Sequence, residues 1–374
     1  MGSKRLMLKN GLGKLIKKEI VDSNRFFDAF TGSGIVAAHV AENYEVHVKA
    51  FDLQLFSTIV SNAIISRDEE IEWQPVWNQW EKRAKEIKRH YRIPSTKKIT
   101  QRVVDDCRNW AARQNELPIT KAYGGHYFSP LQTVWIDALR TTLPKDKTIR
   151  TVALSALIQA ASQCAASPGH TAQPFQPTKT AKPYLAEAWK KDIPLVTKNI
   201  FSSLATRSAK KKGVAEVADA NKIASRLKEN DLVFIDPPYS GVHYSRFYHV
   251  LETIARGKCG DVSGVGRYPD PKLRPRSKYS IISESQTALD ELLKKISSRK
   301  AKAILTYPDH QCSNGLSGEI VRETAEKYFS IKEQSVESKF SSLGGRSNGD
   351  QNAAGRDARR NANELILLLK PKKV

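Results

Sequence analysis

The sequence predicts an α/β protein built on a doubly wound, mainly parallel sheet, interrupted by an inserted and mainly helical block. Three observations predict it. Short apolar runs alternate with helix-like stretches through residues 1–67, the order that joins parallel strands by crossovers. That alternation stops over residues 68–195, where helical periodicity takes over, and strand-like runs return only after residue 196. The expected division is therefore two halves of one sheet domain, 1–67 and 196–374, around an insertion at 68–195.

Taken in order, residues 14–20 read as a short amphipathic helix and residues 25–30 as an apolar strand. Residues 31–34 form a glycine turn, 35–42 a helix, and 46–51 a second strand closed by Asp52. Such a βαβ unit puts a ligand crevice at the carboxyl ends of its strands. Residues 68–92 are highly charged. Trp73, Trp77 and Trp80 share one helix face there, and Lys82, Arg83, Lys85, Lys88, Arg89 and Arg92 form a basic run. Helices are expected around 97–115, 129–142 and 149–167, then a Pro/Gly/Thr-rich loop at 167–183. Strands are expected at 214–217, 231–236, 301–306, 330–337 and 364–369, with a Gly/Asn/Arg-rich loop at 341–361.

Charge narrows the partners. Lys and Arg number 61 against 39 Asp and Glu, a net charge of +22. Such an excess concentrates polyanions at the surface, so nucleic acid is the leading partner. No apolar run is long enough to cross a bilayer, and the N-terminus lacks the layout of a signal peptide, so a cytoplasmic protein with no membrane partner is expected. Cys107, Cys164, Cys259 and Cys312 are scattered, without ligand spacing or an accompanying His cluster. Reduced thiols and no metal site are expected.

Two constellations carry chemistry. In the first, Phe26-Phe27-Asp28-Ala29-Phe30-Thr31-Gly32-Ser33-Gly34 runs from a strand through a glycine turn into a helix, and Asp52 closes the next strand. Glycines there let the backbone approach a ligand, and Asp52 is placed to accept ribose hydroxyls. The segment also fits a dinucleotide fingerprint, and a plain strand–turn–helix without ligand stays open. Asp28 weighs against a pyrophosphate on the helix N-terminus and favours a cofactor bearing positive charge and no phosphate, such as S-adenosylmethionine.

The second constellation is Asp236-Pro237-Pro238-Tyr239, reached from the apolar run Asp231-Leu232-Val233-Phe234-Ile235. The exocyclic amine of adenine is a poor nucleophile because its lone pair is delocalised into the ring. Asp236 and the Pro237 carbonyl can accept its two N–H bonds and direct that lone pair toward a methyl donor. Positioned groups of this kind are worth roughly 3–4 kcal/mol each. The prolines hold the carbonyl still, and Tyr239 offers a face for an extruded base, worth about 1–3 kcal/mol.

With these residues the chain resembles the Dam-type DNA adenine-N6 methyltransferases, which are S-adenosylmethionine-dependent and carry the Asp-Pro-Pro-Tyr motif. Asp28 to Gly34 is similar to the family's D-x-F-x-G-x-G motif. Residues 8–20 resemble its N-terminal motif, with Gly13 and Lys14 in the matching positions. Asp52 matches the ribose binder, Asp219 an acidic residue near the cofactor's adenine, and Asn363-Glu364-Leu365-Ile366 with 341–346 the closing hairpin. The resemblance implies a Rossmann-like doubly wound methyltransferase sheet whose inserted, mainly helical region recognises the target. It implies as cofactor binders Gly13, Lys14, Asp28, Phe30, Gly32, Ser33, Gly34, Asp52 and Asp219, and as the catalytic motif Asp236, Pro237, Pro238 and Tyr239.

His243, Tyr244 and Arg246, just after that motif, are expected to touch DNA or the target nucleotide, and Lys210, Lys211, Arg274 and Arg346 are expected phosphate contacts. The expected function is site-specific methylation of adenine in double-stranded DNA, in restriction–modification or phage defence, with a cognate restriction or defence complex as candidate partner. An RNA adenine or DNA cytosine-N4 enzyme and a catalytically silent DNA-binding subunit are the alternatives. A dinucleotide-dependent oxidoreductase leaves Asp236-Pro237-Pro238-Tyr239 unexplained.

Overall fold

The structure, a computed structural model, describes residues 3–341 and 359–372. The chain divides into two compact units: Met1–Leu53, Ala209–Tyr244 and Arg276–Val374 make the first, Gln54–Ser208 and Ser245–Pro275 the second.

The first unit holds a seven-stranded sheet. Its strands are β1 (Arg25–Asp28), β2 (His47–Asp52), β3 (Val214–Val217), β4 (Asp231–Ile235), β5 (Lys302–Pro308), β6 (Phe329–Ser341) and β7 (Arg359–Pro371). Their order across the sheet is β3-β2-β1-β4-β5-β7-β6. The first five run parallel, and β7 is antiparallel to both of its neighbours. Every residue of β4 is buried, as expected of a central parallel strand covered on both faces. The chain leaves β1 toward β2 and β3 and returns on β1's other side as β4, so the strand order reverses between β1 and β4. That is where a doubly wound sheet opens a ligand crevice at its carboxyl edge.

At the opposite edge Arg25 grips Asp231 with two bonds, Nε to Oδ1 at 2.9 Å and Nη2 to Oδ2 at 2.6 Å. Asp231 is fully buried. Arg25→Met strands its carboxylate away from water, and a stability loss of about 3–5 kcal/mol is expected, read as a fall in urea midpoint against the wild type.

Two helices of this unit, Ile282–Ser298 and Gly318–Glu326, were not among the expected elements. The last two strands are longer than expected, because thirteen residues of each pair along one ladder. Backbone bonds hold the polar ends that an apolar pattern does not mark.

The second unit is helical apart from one two-residue ladder, Val262–Ser263 with Tyr268–Pro269. Helix Lys147–Cys164 is buried along most of its length, the mark of a central helix. On helix Trp73–Arg89, Trp77 and Trp80 are buried and Trp73 half-buried. The Trp80 indole donates to the Leu139 carbonyl at 2.9 Å. The expected insertion, 68–195, falls within this unit, which also takes in helices Leu55–Ile65, Ile193–Ala205 and His249–Arg256. No helix among the described residues is long and apolar enough to cross a membrane.

Candidate active site

The two constellations end on adjacent strands. Asp28 closes β1 in register with Phe234 of β4, two residues before Asp236, and the Ala29 amide donates to the Phe234 carbonyl at 3.0 Å. The turn after β1 depends on its glycines: Gly32 has φ +51° and Gly34 φ +72°, left-handed values that side chains with a Cβ resist. Gly34 caps helix Ile35–Asn43. The Gly32 amide donates to Asp52 Oδ2 at 3.0 Å, so the end of β2 is locked to the same turn.

Asp28 is the electrostatic focus. It is 1% exposed. Burial, helped by the nearby Asp236 carboxylate, pushes its carboxyl up to about 7, although the Thr31 hydroxyl and the Phe30 amide donate to it. Its Oδ1 is buried without a partner among the described residues. A buried acceptor left unmatched in an acidic pocket suits a ligand bearing positive charge. The residues therefore fit the ammonium and sulfonium of S-adenosylmethionine and would repel a pyrophosphate.

Asp236 is half-buried, and Pro237 behind it is buried. Two donors converge on one oxygen of Asp236. Thr306 Oγ1, two residues before the end of β5, donates to Oδ1 at 2.9 Å, and Lys4 Nζ lies 2.9 Å from the same atom. Lys4 also meets Glu364 Oε1 on β7 at 2.7 Å. Burial works against the ammonium's charge, yet Asp236 and Glu364 together outweigh it and raise its pKa above the ordinary lysine value. Beneath the turn Asn314, fully buried, donates from Nδ2 to the carbonyls of Pro238 and Tyr279, both at 2.9 Å. Its own Oδ1 accepts from the Tyr307 hydroxyl at 3.0 Å. Tyr239 projects outward, 42% exposed, edge-on to Tyr244 at 6.3 Å.

Other expected site residues are placed as follows. Phe30 packs edge-on against Tyr279 at 5.0 Å, and Ser33 is half-buried within the turn. Asp219 caps helix Ala220–Ile223, accepting from the amides of Asn221 and Lys222. Gly13 starts helix Gly13–Ile20, where a Cβ would strike the Leu8 carbonyl. Lys14 is exposed and lines a groove with Lys18, Lys332 and Glu333. Lys4, for which no role was expected, reaches Asp236. His243 Nδ1 faces the Ser277 amide at 3.4 Å.

Lys210 and Lys211 are exposed in the segment that enters β3, with Lys212 O bonded to His47 at the start of β2. They stand at the amino edge of the sheet, opposite the edge that carries Asp28 and Asp236. In the second unit, Arg246 and Arg274 share one aromatic ring: their Cζ atoms lie 4.6 and 5.6 Å from the Tyr268 centroid. Arg346 lies outside the described residues.

Sequence reasoning missed Lys4, Thr306 and Asn314. Thr306 carried a signal, a polar residue closing an otherwise apolar strand. Asn314 reads as an ordinary Asn-Gly turn, and Lys4 as one of many N-terminal cations.

Residues 1–307 match the family described as D12 class N6 adenine-specific DNA methyltransferase. Among curated proteins, the chain is 25% identical over 321 residues to modification methylase StsI of Streptococcus sanguinis, an alignment covering 82% of this chain and 43% of that one. It is 24% identical over 306 residues to modification methylase LlaI of Lactococcus lactis subsp. lactis, covering 79% and 44%. The chain thus matches less than half the length of either relative. With the glycine turn and the Asp-Pro-Pro-Tyr turn on neighbouring strands and the family match across residues 1–307, the chain belongs to the D12 class N6 adenine-specific DNA methyltransferase family.

Proposed function

We propose that this chain transfers a methyl group from S-adenosylmethionine to the N6 amine of adenine at specific sites in double-stranded DNA. Its role is that of the modification enzyme of a restriction–modification system. The observation that carries this reading is the neighbouring position of Asp28 and Asp236 at the point where strand order reverses. S-adenosylmethionine, when bound, supplies an electrophilic methyl on a sulfonium. Asp28 offers its unpartnered oxygen to the cofactor's positive charge, and Asp52, tied to Gly32, serves as the ribose acceptor. Asp236 and the Pro237 carbonyl accept the amine's two N–H bonds and turn its lone pair toward the methyl group. Tyr239 stacks the extruded base.

The helical block at 68–195 is the target-recognition region in this reading, and the residues at the carboxyl edge of the sheet keep the roles expected of them, whereas Lys210 and Lys211 stand at the opposite edge. Arg246 and Arg274, both placed over the Tyr268 ring, contact backbone phosphate. Replacing either with alanine lowers DNA affinity and flattens the slope of log affinity against log salt by about 0.9. Fluorescence anisotropy titrations at several salt concentrations measure this; an unchanged slope removes that arginine from the interface.

The test of the function is to incubate the purified chain with methyl-labelled S-adenosylmethionine and unmethylated duplex DNA, digest the DNA, and identify the labelled nucleoside. Label in N6-methyladenine supports the reading. Label in N4-methylcytosine, label only when RNA is supplied, or no transfer at all refutes it.

A further inference from the structure

Lys4 is a half-buried cation held by the catalytic turn and by the last strand of the sheet, and the reading above gives it no role. Its ammonium touches Asp236 Oδ1, Glu364 Oε1 and, at 3.4 Å, the Met7 sulfur. The side chains of Lys4 and Glu364 are 14% and 7% exposed. We propose that Lys4 is a positioning residue for methyl transfer: bridging Asp236 to Glu364, it fixes the catalytic carboxylate so that Oδ2 faces the target amine. This rests on the proposed function.

Three observations carry it. First, Lys4 and Thr306 both engage Oδ1, and among the described residues no side chain donates to Oδ2, so the carboxylate is oriented with one oxygen spare. Second, Glu364 Oε2 is already buried without a partner among the described residues. Withdrawing Lys4 would leave two neighbouring carboxylates, one deeply buried, with no compensating charge, which is strongly unfavourable. Lys4 is therefore a resident partner, not a plug that leaves when a base enters. Third, the contact joins residues 360 apart in sequence, tying the N-terminal helix Ser3–Met7 and β7 to the turn that follows β4. An anchor of this kind holds a reacting group within the tolerance that alignment demands.

The experiment compares the wild type with Lys4→Met, Lys4→Arg and Glu364→Gln. It records kcat and KM for duplex DNA, S-adenosylmethionine affinity by calorimetry, and melting temperature. Lys4→Met lowers kcat about 10²-fold while KM and cofactor affinity stay near the wild-type values. Lys4→Arg, which keeps the charge, recovers much of the loss. Glu364→Gln, which keeps an acceptor but loosens the bridge, shows a smaller loss of the same kind and carries the test if Lys4→Met does not fold. An unchanged or raised kcat in Lys4→Met overturns the proposal, as does a loss that arginine does not relieve or one matched by weakened cofactor binding. An active wild type with any of those results rejects the role of Lys4 alone; a wild type that transfers no methyl group rejects the functional reading and this role together.

Discussion

Asp236→Ala is expected to lower kcat by about 10²–10³-fold, the scale lost when one preorganised group is removed from a transition state. Cofactor binding should survive, and geometry gives the reason. With Asp236 gone, Lys4 and Glu364 remain as a balanced pair, so the N-terminal helix keeps its anchor. Asp28 also loses the neighbouring carboxylate that, after burial, does most to raise it toward 7. It ionises more readily in the variant, so affinity for a cationic cofactor at neutral pH should hold or tighten. Single-turnover methylation of duplex DNA and calorimetry on the same preparation measure both quantities. Loss of cofactor binding together with activity would show that Asp236 supports the fold instead of the chemistry.

The second large effect is expected at Asp28. Removing one member of a buried charge pair costs about 2–5 kcal/mol, so Asp28→Asn should weaken S-adenosylmethionine binding about 100-fold. The pH dependence carries a signature. Below about 7 the wild-type carboxyl is protonated and offers the cofactor no charge; above it the carboxylate does. Wild-type affinity should therefore rise with pH between about 6 and 8, and Asp28→Asn should be flat across that window. Stability runs the other way. The folded carboxyl titrates near 7, well above its ordinary value of 3.8, so its contribution is complete below 3.8 and is lost as pH rises through 7. At pH 8 the variant should melt no lower than the wild type, and higher if relief of that strain dominates. A side chain whose removal weakens binding but spares stability is held at a cost for function.

How much of this was legible in the chain itself follows from where the physics is local. The strands at 25–28, 47–52, 214–217 and 231–235 announce themselves because each is a short apolar or β-branched run bounded by a turn. The glycine turn does so because Gly32 and Gly34 take positive φ. Asp28 and Asp236 could be singled out because a carboxylate ending an apolar strand is chemically conspicuous. Their neighbouring positions rest on the order β1-β4, which the βαβ rule suggests but only strand pairing demonstrates.

What was not legible is long-range and polar. Nothing near Lys4 marks it as the partner of Glu364, 360 residues away. Nothing in Ser313-Asn314-Gly315 says that its amide holds the Pro238 carbonyl. Helix Leu55–Ile65 follows β2 where a crossover helix of the sheet is expected, yet it belongs to the helical unit. Its sequence is apolar enough to pack in either place, and periodicity cannot choose between two cores.

In the proposed function the turns after β1 and β4 share one pocket, with the cofactor on one side of Asp236 and the target amine on the other. A crystal structure of the chain with S-adenosylhomocysteine and an adenine-containing duplex tests it most directly. The expected result is the homocysteine amine against Asp28, the ribose on Asp52, and a flipped adenine with its N6 on Asp236 Oδ2 and the Pro237 carbonyl. A cofactor bound at the amino edge of the sheet, or an adenine left stacked out of reach of Asp236, would contradict it.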